Sequence, residues 1–230
     1  MRMQIAVLAS GGGSNLQSIL QHFDSLGADR PGDVVLVASD RAASGALERA
    51  RAVGASAVAM DREQRTHGLL ALLTQHDIGL VVLAGYLRFV PAEVTRHFRG
   101  RIVNIHPALL PAFGGEGMYG HRVHEAVIAR GARVSGATVH FVDEVYDHGP
   151  IIAQWPVPVF AHDTAETLAH RVLAVEHALY PRVVQQLAAG NISLGGDGKV
   201  HGTSGHLAPT HFALRDDPGA TAEGIRTILG

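Results

Sequence analysis

Cysteine is absent from this 230-residue chain, which excludes disulfides, thiolate nucleophiles and cysteine-based zinc or iron–sulfur centres. Lysine occurs once, at Lys199, so no other motif has a lysine nucleophile beside it in sequence. No run approaches the roughly 20 apolar residues that cross a bilayer, and residues 1–4 lead into a strand pattern rather than a signal peptide. No long basic block occurs and the formal charge is only −2, so nothing in the charge pattern points to nucleic acid. A cytoplasmic protein with neither membrane nor nucleic-acid partners is expected. A composition 47% apolar and 17% charged is ordinary for a globular chain, long enough for one large α/β domain or two small ones. Fifteen histidines mean that any metal would be held by imidazole and carboxylate.

Residues 4–9 form a continuous apolar run, as in a strand buried on both faces of a parallel sheet. The run ends at Ser10-Gly11-Gly12-Gly13-Ser14-Asn15, after which Leu16, Ile19, Leu20 and Phe23 recur at helical spacing, with Ser14 or Asn15 as N-cap. Further strands are predicted over 34–38, 55–60, 78–84 and 101–105, and helices over 45–53, 62–76 and a short stretch ending at Phe98. This alternation predicts an α/β, Rossmann-like, doubly wound and mostly parallel sheet with right-handed crossovers. Residues 106–120 then make a Pro/Gly loop, of a length found in functional or disordered segments. A helix over 121–130 follows, and extended segments over 133–142 and 151–159 are close enough to pair antiparallel. Residues 164–189 carry the longest helical stripe, through Leu168, Val172, Val175, Leu179, Val183 and Leu187. Val200-His201 is a final strand candidate. No linker divides the chain, so one domain over 1–204 is expected, with a loosely ordered tail over 205–230.

Two polar residues, Asn104 and His106, flank Ile105 at the mouth of a buried strand and precede Pro107. Both point to one face at the carboxyl end of a strand, where open α/β sheets bind ligands. Burying such groups costs free energy unless something satisfies or uses them. His140 lies on the strand that follows. Asp147 sits in the turn before Gly149-Pro150 and is the preferred carboxylate over Asp143 and Glu144 for fixing an imidazole tautomer. Gly13, Ser14 and Asn15 open a helix after a glycine turn, a place where backbone N–H groups hold phosphate. The turn lacks the Gly-Lys-Ser/Thr of a Walker loop and the G-x-G-x-x-G spacing of dinucleotide enzymes. Asp40, closing the second strand, is the one feature favouring a nicotinamide cofactor. His121-x-x-His124 could be half of a metal site but has no evident third ligand, and no metal is expected.

Several segments together carry a resemblance. These are Ser10-Gly11-Gly12-Gly13-Ser14-Asn15-Leu16, Leu83-Ala84-Gly85-Tyr86-Leu87-Arg88, Asn104-Ile105-His106-Pro107-Ala108-Leu109-Leu110-Pro111, Val139-His140-Phe141-Val142, Asp147-His148-Gly149-Pro150 and Glu176-His177-Ala178-Leu179-Tyr180-Pro181. In order, from about residue 4 to residue 202, they resemble the phosphoribosylglycinamide formyltransferase family. The Asn-x-His-Pro motif and the Asp-x-Gly-Pro turn mark the wider formyltransferase superfamily.

The resemblance implies formyl transfer from 10-formyltetrahydrofolate, as co-substrate, to glycinamide ribonucleotide in purine synthesis, without metal, by a monomer or homodimer acting on small molecules. It implies a nucleotide-binding half over about 1–100 and a folate and catalytic half over about 101–204. Asn104, His106 and Asp147 become the catalytic trio, supported by His140. Gly13, Ser14 and Asn15 would hold the ribonucleotide phosphate and Glu176 its ribose or glycinamide part. Leu87, Arg88, Phe89 and Val90 would line the pterin pocket largely through backbone, with Val142 and Asp147 opposite, and Arg62 or Arg65 would meet the folate glutamate. Glu116 stands where the resemblance leads one to expect a basic residue, and His148 where a small one is common. Relatives that hydrolyse 10-formyltetrahydrofolate, and proteins that bind phosphate without turnover, are the alternative readings.

Overall fold

The computed structural model describes residues 2–202. The expected tail over 205–230 lies outside them. Five parallel strands, β1 (Met3–Leu8), β2 (Gly32–Ser39), β3 (Ser56–Ala59), β4 (Leu80–Leu83) and β5 (Ile102–His106), are joined by β6 (Val134–Phe141) and β7 (Ile151–Pro158) in one sheet of order β3-β2-β1-β4-β5-β6-β7. The last two run antiparallel to their neighbours, the predicted exception to the parallel pattern. Pro156 and Pro158 fall on β7, an edge strand whose outer side needs no ladder donor.

Strand alternation divides the core between the two faces. Ile5, Val7 and Ala9 pack with Leu16, Ile19 and Phe23 of α1 (Ser14–Ser25) and with Val172, Leu179 and Val183 of α6 (Ala165–Ala188). Ala6 and Leu8 face Leu69 and Leu73 of α3 (Leu69–Gln75) and Val94 of α4 (Ala92–His97). Burying each such Leu or Ile side chain contributes about 1.5–3 kcal/mol. The helices α2 (Gly45–Ala52) and α5 (His121–Ala129) complete the layers. A small hairpin of β8 (Ile192–Leu194) and β9 (Val200–Gly202) gives Val200-His201 a partner that the sequence pattern did not reveal.

Two local expectations need correction. The helix predicted over 62–76 contains a π turn, Gln64–Gly68, before α3. Its apolar spacing is helical either way, so periodicity does not register the inserted residue. The N-cap of α1 is Gly13 at φ 74°, not Ser14 or Asn15, and no side chain caps it. A Cβ on Gly13 would sit 2.8 Å from Ala46 Cα, so the turn that brings α1 against α2 admits only glycine.

Candidate active site

The chain winds outward in opposite directions from β1 and β4, and a crevice opens beyond the carboxyl ends of strands at such a point. Here it is a cavity of about 580 Å³. It is lined by Asn104, Ile105 and His106 at the end of β5, by 85–90 after β4, by the loop around Asp147, and by Asn15 and Glu176. Sequence-distant candidates therefore meet in one place.

Strand register assembles the polar cluster. Asn104 lies opposite His140 across the β5–β6 ladder. The His140 Nδ1–H donates to the Phe141 carbonyl at 2.7 Å, which leaves Nε2 to accept from Asn104 Nδ2 at 3.1 Å. His106 is buried, and its Nε2–H donates to the Phe113 carbonyl at 2.8 Å, so Nδ1 faces Asp147 Oδ2 at 3.5 Å. Asp147 Oδ1 lies 3.7 Å from His140 Nε2, and Oδ2 accepts from Gly115 N–H at 2.9 Å. Burial is the largest influence on both members of the His106–Asp147 pair. It holds the imidazole below its ordinary pKa despite Asp147 and the Phe113 carbonyl. For Asp147 burial acts upward, but His140, His106 and the Gly115 N–H outweigh it and keep the carboxylate ionised.

The loop after His106 is lashed to the sheet by residues that motif reading missed. The Thr138 hydroxyl donates to Ala108 O at 2.6 Å and accepts from Leu110 N–H at 3.0 Å, and Gln154 Nε2 donates to Leu110 O at 2.8 Å. The only signal for Thr138 was its alternation with His140 on β6. Phe113 at φ 57° and Asp147 at φ 54° both adopt the left-handed region, where each non-glycine residue stores roughly 1–3 kcal/mol. One aims its carbonyl at His106 and the other its carboxylate at the same ring. From α6, the buried Tyr180 hydroxyl lies 2.9 Å from Leu83 O and 3.1 Å from Val103 O, donating between the end of β4 and the second residue of β5.

The glycine turn that leads to Asn15 has its carbonyls occupied. Gly11 O accepts from Ser44 Oγ at 2.7 Å and Gly12 O from Arg49 Nε at 2.8 Å. The uncapped start of α1 thus offers N–H groups rather than carbonyls. Ser14 is exposed beside it, and neither Gly13 nor Ser14 lines the main cavity. The Asn15 side chain is engaged within the protein. Its Nδ2 donates to Glu176 Oε2 at 2.7 Å, and its buried Oδ1 has no partner among the described residues. Asn15 lines the cavity, but this oxygen is itself enclosed. Burial pushes Glu176 up to about 7, with the Asn15 bond opposing it.

Leu87, Arg88, Phe89 and Val90 form one wall of the cavity, and Val142 lies among the residues facing it. Phe89 meets Tyr146 edge-to-face at 5.0 Å across the mouth. Glu116 also lines the cavity, whereas Arg62 and Arg65 do not. His148 is drawn off by Asp143 at 3.0 Å. Asp40 is enclosed and paired with Arg88 at 2.8 Å, which removes it from any ribose. His124 is buried, its Nδ1 without a partner among the described residues, and it is held down to about 4 by burial first and then by His121 and His106. Among the described residues no three or more His, Cys, Asp or Glu side chains are grouped to hold a metal ion.

Known proteins share this arrangement of chain and fold. Residues 3–184 match the family described as formyl transferase. The chain is 46% identical over 203 residues to the chloroplastic phosphoribosylglycinamide formyltransferase of Vigna unguiculata, covering 86% of this chain and 64% of that one, so it spans just under two thirds of that relative's length. It is 38% identical to the phosphoribosylglycinamide formyltransferase of Escherichia coli, covering 84% of this chain and 90% of that one. The crystal structure of the phosphoribosylglycinamide formyltransferase from Anaplasma phagocytophilum superposes with a TM-score of 0.80 at 35% identity, covering 89% of this chain and 95% of that one. With similarity of this extent running through the strands and turns that build the cavity, the chain belongs to the formyl transferase family, among the phosphoribosylglycinamide formyltransferases.

Proposed function

We propose that this protein transfers the formyl group of 10-formyltetrahydrofolate to the primary amine of glycinamide ribonucleotide by direct attack. The observation that carries this reading is the meeting of Asn104, His106 and Asp147 in one cavity, with the 87–90 wall on one side and Asn15 and Glu176 on the other. Two substrates fit a site with two differently lined ends, and holding them together removes much of the entropic barrier to a bimolecular step.

In the proposed reaction the amine lone pair forms a bond to the formyl carbon, and the carbonyl electrons move to oxygen. Asn104 retains an amide hydrogen beyond the one given to His140 and can donate it to that oxyanion. His106 Nε2 is occupied by Phe113, so Nδ1 is the nitrogen left to act. Ionised Asp147 accepts the proton shed by the amine and shares it with Nδ1, making the ring a donor while negative charge develops. Collapse of the intermediate breaks the bond to the folate nitrogen, which receives that proton and leaves as tetrahydrofolate. No covalent enzyme intermediate is needed. Gly13 and Ser14 at the start of α1 hold the ribonucleotide phosphate, and Glu176 with Asn15 meets its ribose or glycinamide part.

Incubation with 10-formyltetrahydrofolate, with and without glycinamide ribonucleotide, tests the reading through release of tetrahydrofolate. Release that requires both substrates is expected. Release without the acceptor would reassign the protein as a hydrolase, and no release would leave it a binding protein.

A further inference from the structure

Asp40 closes β2 where a dinucleotide-binding enzyme would carry its ribose acid, yet its side chain is 0% exposed and does not line the cavity. Oδ2 accepts from Arg88 Nε at 2.8 Å. Ser10, buried at the end of β1, grips the same segment twice. Its N–H donates to Gly85 O at 3.1 Å, and its hydroxyl oxygen accepts from Leu87 N–H at 2.9 Å. Burial acts to raise the Asp40 pKa, but the Ser10 hydroxyl and the Arg88 guanidinium outweigh it, so the enclosed carboxylate is ionised. An enclosed charge of this kind depends on its partner far more than an exposed ion pair does.

The ends of β1 and β2 therefore fasten the segment after β4 at a carbonyl, an amide and a guanidinium, while residues 87–90 face the cavity and Ser10 and Asp40 do not. We propose that Asp40 and Ser10 are positioning residues that set the folate-facing wall. Asp40 draws the Arg88 side chain onto itself, and Ser10 fixes the Leu87 amide, so the wall presents backbone to the pterin. The folate-facing part of this inference rests on the function proposed above. It also means that Arg88 Nε is taken by Asp40 while the rest of the guanidinium remains half-exposed in the wall.

The test compares full-length wild type with Asp40→Asn, Ser10→Ala, Arg88→Met and the Asp40→Asn/Arg88→Met double variant. Amide hydrogen exchange over 85–91 is expected to speed up about tenfold in Asp40→Asn, because local opening is no longer opposed by the latch. The KM for 10-formyltetrahydrofolate should rise by about tenfold, with kcat and the ribonucleotide KM changing less than about twofold. The double variant should be no worse than Arg88→Met alone, because it leaves no unpaired buried charge. Unchanged exchange over 85–91, or equal rises in both KM values, would overturn the latch. Absence of formyl transfer by wild type would overturn the proposed function instead, and exchange over 85–91 would still decide the latch.

Discussion

Asp147 Oδ2 stands 3.5 Å from His106 Nδ1 while the opposite nitrogen of that ring is tied to the Phe113 carbonyl. The ring is thus fixed in tautomer and orientation by a backbone oxygen, and its remaining nitrogen faces a carboxylate. Asp147→Asn keeps the shape and removes the charge that stabilises a proton on Nδ1. Both Asp147→Asn and His106→Ala should lower kcat by roughly 10²-fold or more while the far-ultraviolet circular dichroism stays that of wild type. Near-normal transfer in either variant would remove these residues from the chemistry.

The two ends of the cavity should separate kinetically. Ser14→Ala removes an exposed hydroxyl at the start of α1, and Asn15→Ala strips Glu176 of its hydrogen bond. The ribonucleotide KM should rise about tenfold in Asn15→Ala, in line with losing a hydrogen bond to a charged or buried partner, with little change in the folate KM. The opposite pattern in steady-state kinetics would mean that the two substrates bind in transposed positions.

Glu176 makes stability depend on pH in a direction opposite to most carboxylates. Its pKa is about 7 in the fold against an ordinary 4.5, so between those values the folded state holds a proton that the unfolded chain has lost. Its contribution is complete below about 4.5 and is lost as pH rises through 7, roughly 3 kcal/mol in all. Urea unfolding at pH 5 and pH 8 should show a smaller difference for Glu176→Gln than for wild type. Identical pH dependence in the two proteins would contradict the assignment.

Gly149 is buried, and a Cβ there would lie 1.9 Å from the Phe141 carbonyl oxygen. Gly149→Ala must push the turn away from β6 and carry Asp147 with it. Overpacking of this kind costs about 1–3 kcal/mol, and kcat should fall by about tenfold or more because a carboxylate is misplaced. Thermal unfolding and kcat measured on the same preparation check both; lower stability with unchanged kcat would show that the turn does not position Asp147.

The sheet and its antiparallel exception were legible because buried parallel strands read as unbroken apolar runs and α6 carries a regular stripe. Asn104 and His106 were legible as candidates because polar residues at a strand mouth need a reason, and Asp147 because Gly149-Pro150 marks a defined turn beside it. The contacts that hold them were not. Phe113 contributes only a carbonyl, which every residue has, and Gly115 only an N–H. Thr138, Gln154 and Tyr180 act across 28 to 97 positions of sequence, and no local spacing encodes such pairings. The Asn15 contact was not legible either, because its partner Glu176 lies 161 positions along the chain.

Tyr180 follows Glu176 by one helical turn, and its hydroxyl is fastened to the end of β4 and to Val103 of β5. The helix carrying Glu176 is thereby keyed to the strand that leads into the 87–90 wall and to the strand that carries Asn104 and His106. On the function proposed above, the alignment of the two reactants is written into the spacing of buried backbone, and the orientational cost of bringing an amine to a formyl carbon is met once, when the chain folds, rather than at every turnover.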